Sequence, residues 1–298
     1  MKTFSCKGTI TALVTPFNKN HEIDYDALKS LIEFQIKSRI DAILIAGTTG
    51  ESPSLSKEEK LELMERTMDI VKGRVPVIAG TGTNNTKDSI IMTRKAKEIG
   101  VDGALIVAPY YNKPTQNGLY EHYKAIAKSV EIPQIIYNVP GRTGVNILPE
   151  TQLRLAEECK NIIATKEASG NLGQMMEIIK NAPKGFILLS GDDALTLPAI
   201  SIGAKGCISV LSNYAPAEFG RMIHFALDGK FEQAKKIHYS LLDLMNLNFV
   251  ESSPQPVKYV LSQMGYIKEI FRLPLVPMQS LNKTILMNAI KKSGLKIS

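Results

Sequence analysis

Metal and disulfide chemistry have little to work with in this sequence. Its three cysteines, Cys6, Cys159 and Cys207, are odd in number, far apart and form no Cys-x-x-Cys pair. That excludes a disulfide framework and a zinc ribbon and points to a reducing compartment. The four histidines (His21, His122, His224, His238) make no His-x-His or His-Glu-x-x-His spacing, so no metal site is expected. No apolar run approaches the roughly 20 residues of a membrane helix. The first residues, Met1–Lys7, lack the apolar centre of a signal peptide. Cytoplasmic residence without membrane contact is the expectation. Internal repeats and low-complexity segments are absent too. The net charge of +7, from 36 basic and 29 acidic residues, comes without a basic run or interleaved aromatics. Charges alternate in sign, as in Lys57-Glu58-Glu59-Lys60, which reads as solvated helix surface rather than a nucleic-acid footprint. A mild attraction for small anionic substrates remains.

What is present is a recurrent pattern. Eight short β-prone apolar runs precede residue 211: Thr9–Val14, Ala42–Ala46, Val75–Ala79, Ala104–Ala108, Gln134–Tyr137, Ile162–Thr165, Phe186–Leu189 and Cys207–Val210. Amphipathic segments separate them. Ser56 and Glu59 form a capping box, and Leu61, Met64, Met68 and Val71 then mark one helix face. Leu119, Tyr123, Ile126 and Val130 repeat the pattern. Strand and helix alternating eight times predict a parallel sheet, and at 298 residues a closed (β/α)8 TIM barrel of the α/β class. Beyond Asp228-Gly229 the strand signal stops. Phe231, Ala234, Ile237, Leu241 and Leu244, then Val257–Met264, then residues 280–292 keep helical spacing. The expected organisation is a catalytic barrel over 1–228 and a small C-terminal α-helical extension over 229–298.

Active sites of such barrels gather at the C-terminal ends of the strands. There the second run leads into Gly47-Thr48-Thr49-Gly50-Glu51, whose hydroxyls and free amides suit a carboxylate or phosphate, although a plain glycine-rich turn reads the same way. Gly80-Thr81-Gly82 lacks the third glycine of a dinucleotide fingerprint, so no nucleotide cofactor is implied. The fourth and fifth runs end in Tyr110-Tyr111 and in Tyr137, phenols that serve as proton carriers or as rim packing. Arg142 lies in a Pro-Gly turn where its guanidinium fork suits a carboxylate, or a surface acid. The seventh run ends in Ser190-Gly191-Asp192-Asp193, a polar and flexible rim segment. Above all, the sixth run ends in a lone lysine, Lys166, with the small residues Ala168-Ser169-Gly170 close behind. Most lysines only snorkel to water or pair with an acid. A lysine beside an apolar interior has its charged form disfavoured, and the free amine is the nucleophile that makes Schiff bases with carbonyl compounds. One such lysine, several hydroxyls, one arginine and no redox or metal motif are the parts of a class I aldolase.

Taken together, Gly-Thr-Thr-Gly-Glu at 47–51, Pro-Tyr-Tyr-Asn at 109–112, Tyr-Asn-Val-Pro-Gly-Arg-Thr-Gly at 137–144, Lys-Glu-Ala-Ser-Gly at 166–170 and Ser-Gly-Asp-Asp at 190–193 resemble the 4-hydroxy-tetrahydrodipicolinate synthase (dihydrodipicolinate synthase) family of pyruvate-dependent aldolases. The likeness runs from about Gly8 to Met278 and includes Ser-Pro-Gln-Pro-Val-Lys at 253–258. It implies condensation of pyruvate with L-aspartate 4-semialdehyde through a covalent imine on Lys166, without a cofactor. Tyr137 resembles the proton carrier beside the lysine, with Thr48 and Tyr111 completing the relay and Tyr111 reaching across a dimer interface. Thr49 resembles the binder of the pyruvate carboxylate, Ile208 and Gly191 residues of the pyruvate site, and Arg142 the clamp on the second substrate. Sister enzymes, N-acetylneuraminate lyase and the keto-deoxy sugar acid lyases, share the lysine, the tyrosine and the Gly-Thr-Thr-Gly turn. The Gly-Arg-Thr-Gly turn separates them, since arginine suits an amino-acid carboxylate better than a polyol. A catalytically silent keto-acid-binding paralogue is the reading from another class. The resemblance also implies a homotetramer, and a pocket for L-lysine at Ser52, Asn84, Asp88 and Tyr110. Because Lys57 and Lys60 add positive charge there, weak or absent inhibition by lysine is expected.

Overall fold

The computed structural model of the chain describes residues 6–297, so most of the Met1–Lys7 stretch lies outside it. Eight strands, β1 (Gly8–Ala12), β2 (Ala42–Ile45), β3 (Val77–Gly80), β4 (Gly103–Val107), β5 (Gln134–Asn138), β6 (Ile162–Glu167), β7 (Ile187–Ser190) and β8 (Gly206–Ser209), pair in chain order, all parallel, and β8 returns to β1. The expected closed barrel is therefore present. Around it run α1 (Tyr25–Lys37), α2 (Lys57–Val71), α3 (Thr86–Ile99), α4 (Gln116–Ser129), the single turn α5 (Pro140–Thr143), α6 (Pro149–Glu158), α7 (Leu172–Asn181), α8 (Thr196–Ser201) and α9 (Pro216–Leu227). Helices α10 (Phe231–Leu247), α11 (Gln255–Gln263) and α12 (Ser280–Ser293) follow.

Local chemistry starts these helices where the sequence says. Asp24, Asn85, Thr115 and Asn171 cap α1, α3, α4 and α7 through side-chain oxygens that accept first-turn amides. Ser56 and Glu59 form the full reciprocal box on α2. Strand ends differ in two places. Strand β3 begins at Val77 rather than Val75, because Pro76 brings no N–H to the ladder; its carbonyl accepts from Ile43 N at 3.0 Å. Strand β6 runs on through Lys166 to Glu167, since Tyr137 and Asn138 of β5 supply register partners for both. The helix faces also shift. In α2 the buried stripe is Leu63, Met64, Thr67 and Val71, with Leu61 and Met68 half-buried beside it. Because α2 touches α1, α3 and β3 at once, its apolar surface is wider than a single row. In α10, Ala234, Leu241 and Leu244 are buried with His238 and Met245, while Phe231 in the first turn is exposed.

Two apolar clusters result. The smaller fills the barrel, with Ile10, Leu44, Ile78, Leu105, Ile135, Ala164, Leu189 and Ile208 among its members. The larger lies between the strands and the helices and continues without a break through Leu241, Leu244, Val257, Leu261, Leu286 and Ile290 of α10–α12. With both faces covered, strands such as β2, β3 and β4 are nearly continuously apolar. Among the described residues no helix is long and apolar enough to cross a membrane.

Candidate active site

Alternation along a strand decides which side chains face the barrel interior. On β5 these are Ile135 and Tyr137; on β6 they are Ala164 and Lys166. Register sets Tyr137 directly beside Lys166. The lysine is only 6% exposed, and its Nζ sits 4.2 Å from the centroid of the Tyr137 ring. Among the described residues it makes no ion pair. A cavity of about 130 Å³ opens over the pair, and Thr48, Thr49, Arg142 and Gly191 line it with them. Six of the residues singled out from the sequence thus meet in one small space.

Each is placed by its own element. Thr48 and Thr49 sit in a tight turn closed by Glu51 N to Thr48 O at 3.1 Å and Ser52 N to Gly47 O at 3.2 Å. Arg142 is carried by α5 and belongs to none of the ion pairs of the described residues, so its guanidinium is free to face the cavity. Gly191 touches the lysine stem: a Cβ there would lie 2.7 Å from Ala168 Cβ and 3.0 Å from Lys166 Cε. Gly191→Ala is accordingly expected to push Lys166 out of line and lower kcat/KM by about 10–100-fold, while far-UV circular dichroism stays native. Full activity in that variant would show that the lysine tolerates displacement.

Other candidates lie elsewhere. Ile208 is buried in the barrel interior and lines neither cavity of the site; Val210 is the residue after β8 that reaches it. Tyr111 lines neither cavity within its own chain. It is 90% exposed and holds a left-handed backbone, φ 72°, that a tyrosine rarely adopts. A second cavity of about 270 Å³ shares Thr48, Tyr137 and Arg142 and extends to Ser52, Lys60 and Tyr110. Burial, with Lys57 nearby, lowers the pKa of Lys60 from the ordinary lysine value. Asn84 and Asp88 are not in its lining. Asn84 Nδ2 donates to Tyr110 O at 3.2 Å, and Asp88 is paired with Lys57 Nζ at 2.9 Å. The Gly80-Thr81-Gly82 stretch has a packing role: a Cβ on Gly80 would strike Ala46 O at 2.3 Å, and one on Gly82 the Val107 N at 2.5 Å.

Two groups escaped the sequence reading. Glu167 is fully buried and accepts from Asn138 Nδ2 at 3.0 Å, Gln174 Nε2 at 2.9 Å and Ser169 N at 2.8 Å. It points outward where Lys166 points inward, and Asn138 does the same next to Tyr137. This outer pair ties together the two strands that carry the inner pair. A polar residue directly after each inward candidate was the available signal. Asp193 is the other. Far from lying in a flexible segment, its carboxylate is buried and accepts from Val210 N at 3.1 Å and Leu211 N at 2.7 Å, holding the end of β8. Burial raises its pKa, against the pull of the Leu211 amide. The walls also include Phe249 and Ser253, from the link between α10 and α11.

An inward lysine stacked on a tyrosine at the mouth of a closed (β/α)8 barrel is the layout of lyases of the class I aldolase type. Comparison with known proteins narrows it further. The chain belongs to the dihydrodipicolinate synthetase family, whose family model matches residues 5–293. It is 52% identical over 289 residues to the 4-hydroxy-tetrahydrodipicolinate synthase of Geotalea uraniireducens, covering 97% of this chain and 99% of that one. The crystal structure of the dihydrodipicolinate synthase from Aquifex aeolicus superposes with a TM-score of 0.95 at 49% identity, over 97% of this chain and 98% of that one. The chloride-inhibited enzyme from Acinetobacter baumannii, complexed with pyruvate, gives 0.96 at 41% identity, over 98% and 100%.

Proposed function

We propose that this chain is a 4-hydroxy-tetrahydrodipicolinate synthase, which condenses pyruvate with L-aspartate 4-semialdehyde in the first committed step of diaminopimelate and lysine biosynthesis. The observation that carries the mechanism is the Lys166 amine, 6% exposed, without an ion-pair partner among the described residues, and 4.2 Å from the centroid of the Tyr137 ring in a cavity shared with Thr48, Thr49 and Arg142. The Lys166 amine attacks the ketone of pyruvate and water leaves. The protonated imine then draws electrons, a methyl proton departs, and an enamine forms. The enamine carbon attacks the aldehyde of the second substrate. The amino group of the adduct displaces Lys166, closing the heterocycle and freeing the enzyme. Tyr137 with Thr48 moves the protons. Thr49 holds the pyruvate carboxylate with its hydroxyl and the turn amides, and Arg142 holds the carboxylate of the aldehyde. All of this uses side chains of the protein, with no cofactor.

The exposed, left-handed Tyr111 supports an assembly in which that phenol enters the site of a partner subunit, within a cytoplasmic homotetramer. The free guanidinium of Arg142 favours the amino-acid aldehyde over the polyols of sugar-acid lyases. Borohydride reduction with pyruvate, followed by peptide mass analysis, is expected to place a pyruvyl-sized adduct on the Lys166 peptide. A folded protein without the adduct would instead be the silent keto-acid-binding paralogue. Turnover with L-aspartate 4-semialdehyde but not N-acetylmannosamine then fixes the partner aldehyde.

Regulation follows from charge. Lys60 lines the neighbouring cavity, and Asp88 is occupied by Lys57, so a cationic amino acid meets positive charge without a free acid to offset it. Titration with L-lysine is expected to remove less than half of the activity at roughly 1 mM; potent inhibition would overturn this charge argument.

A further inference from the structure

The turn that carries Thr48 and Thr49 is closed by Glu51, and the side chain of Glu51 goes to an unexpected place. Glu51 has a left-handed backbone, φ 55°, without the help of being glycine. That conformation turns its carboxylate away from the cavity and into the protein, where it is 3% exposed. There Oε1 accepts from Lys258 Nζ at 2.6 Å, across 207 residues of chain. Lys258, on α11, is 0% exposed. Its ammonium also donates to Ile270 O at 2.7 Å and sits 4.4 Å and 4.8 Å from the ring centroids of Phe17 and Phe271. Burial lowers its pKa from the ordinary lysine value, and Glu51 opposes that.

A buried ion pair is a poor way to gain stability, because desolvating two charges consumes most of their attraction. What it does supply is position: in low-dielectric surroundings, breaking the contact strands a buried charge that its remaining neighbours, Ile270 O for Lys258 and Arg272 N for Glu51 at 3.5 Å, do not neutralise alone. Around it the C-terminal segment adds a second grip. Arg272 clasps Glu59 through both carboxylate oxygens, at 2.5 Å and 2.7 Å, and donates to Ser54 O at 3.0 Å. Residues 51 to 59 are therefore held from outside the barrel, while Thr15 Oγ1 holds Gly50 O at 2.7 Å from within.

We propose that Glu51 and Lys258 are positioning residues, which set the Thr48–Thr49 turn at the height the pyruvate carboxylate and the proton relay require. The C-terminal extension thereby becomes part of the catalytic device, as the Phe249 and Ser253 walls of the cavity also indicate. The inference rests on the assignment of Thr48 and Thr49 to that substrate.

The test is Lys258→Met in the full-length chain, a substitution close to isosteric with the lysine stem. Active sites are counted by borohydride trapping of pyruvate, and kinetics are taken well below the melting temperature of the variant. A role confined to stability lowers the melting temperature and the number of active sites but leaves KM for pyruvate and kcat per active site at the wild-type values. The positioning role predicts a rise in KM for pyruvate and a fall in kcat per site, together about 10–100-fold in kcat/KM. Wild-type values per site in a folded Lys258→Met protein overturn the proposal. If that variant does not fold, Glu51→Gln, which keeps the length and one acceptor oxygen, is read in the same way and overturns it on the same result. Thr49→Val, measured alongside, separates the two readings. An unchanged pyruvate KM in Thr49→Val sinks the assignment of the turn to pyruvate, and the positioning role with it. A raised KM in Thr49→Val beside an indifferent Lys258→Met overturns the positioning role alone.

Discussion

Lys166→Met is expected to abolish borohydride-trapped labelling by pyruvate and to lower kcat by about 10⁴-fold or more. The size of the loss follows from the kind of chemistry. Without an amine no imine forms, and without the imine the methyl group of pyruvate has no electron sink. Nothing else in the cavity replaces it, since its other lining residues offer hydroxyls, a guanidinium, the Asp192 carboxylate and apolar groups but no second amine. Methionine is the informative replacement because its unbranched stem fills the slot between Gly191 and the Tyr137 ring. The variant should be as stable as the parent or more so, because it removes a buried polar group that has no ion-pair partner among the described residues. Steady-state rates, trapping and thermal melting together decide the matter. A variant with intact melting that keeps more than about a tenth of its rate would place the nucleophile elsewhere.

Tyr137→Phe isolates the second role. The ring remains beneath the Lys166 amine, so packing and the contact at 4.2 Å persist, and only the phenolic O–H is lost. Proton transfer by a positioned side chain contributes about 10²–10⁴-fold, and kcat should fall by that factor. Pyruvate should still label Lys166, only more slowly, because carbinolamine formation and dehydration both need a proton moved next to the nitrogen. Retained labelling with lost turnover is the signature that distinguishes this variant from Lys166→Met. A rate within about threefold of the parent would shift the relay to Thr48 or to a residue from a neighbouring subunit.

Much of this site is legible in the sequence. The eight β-prone runs stand at the positions of the eight strands because buried parallel strands need continuous apolar sequence, a signal that does not depend on what packs against them. Lys166 is visible as the one lysine at the end of such a run. Tyr137, Thr48, Thr49, Arg142 and Gly191 were visible as residues of strand-end turns, where a barrel gathers its chemistry. The flexible reading of Ser190–Asp193 failed for a physical reason. A run of small and acidic residues looks solvated in sequence, yet Asp193 finds the amides of Val210 and Leu211, some seventeen residues on, and buries itself against them. The same blindness to partners hid the tie between Glu167 and Asn138, and that between Glu51 and Lys258.

The sequence by itself determined the architecture and the chemical inventory: a closed barrel with helices added at its C-terminal end, and one lysine among hydroxyls and a guanidinium. Those follow from local pattern, which each segment carries alone. Only the tertiary structure decided geometry: that Tyr137 lies under Lys166 by strand register, that Val210 rather than Ile208 reaches the cavity, that Tyr111 is exposed on its own chain, and that Lys258, 207 residues on, pairs with Glu51 in the turn beside Lys166. Register, burial and long-range pairing depend on what the rest of the chain brings alongside, and no single stretch of sequence contains its partner.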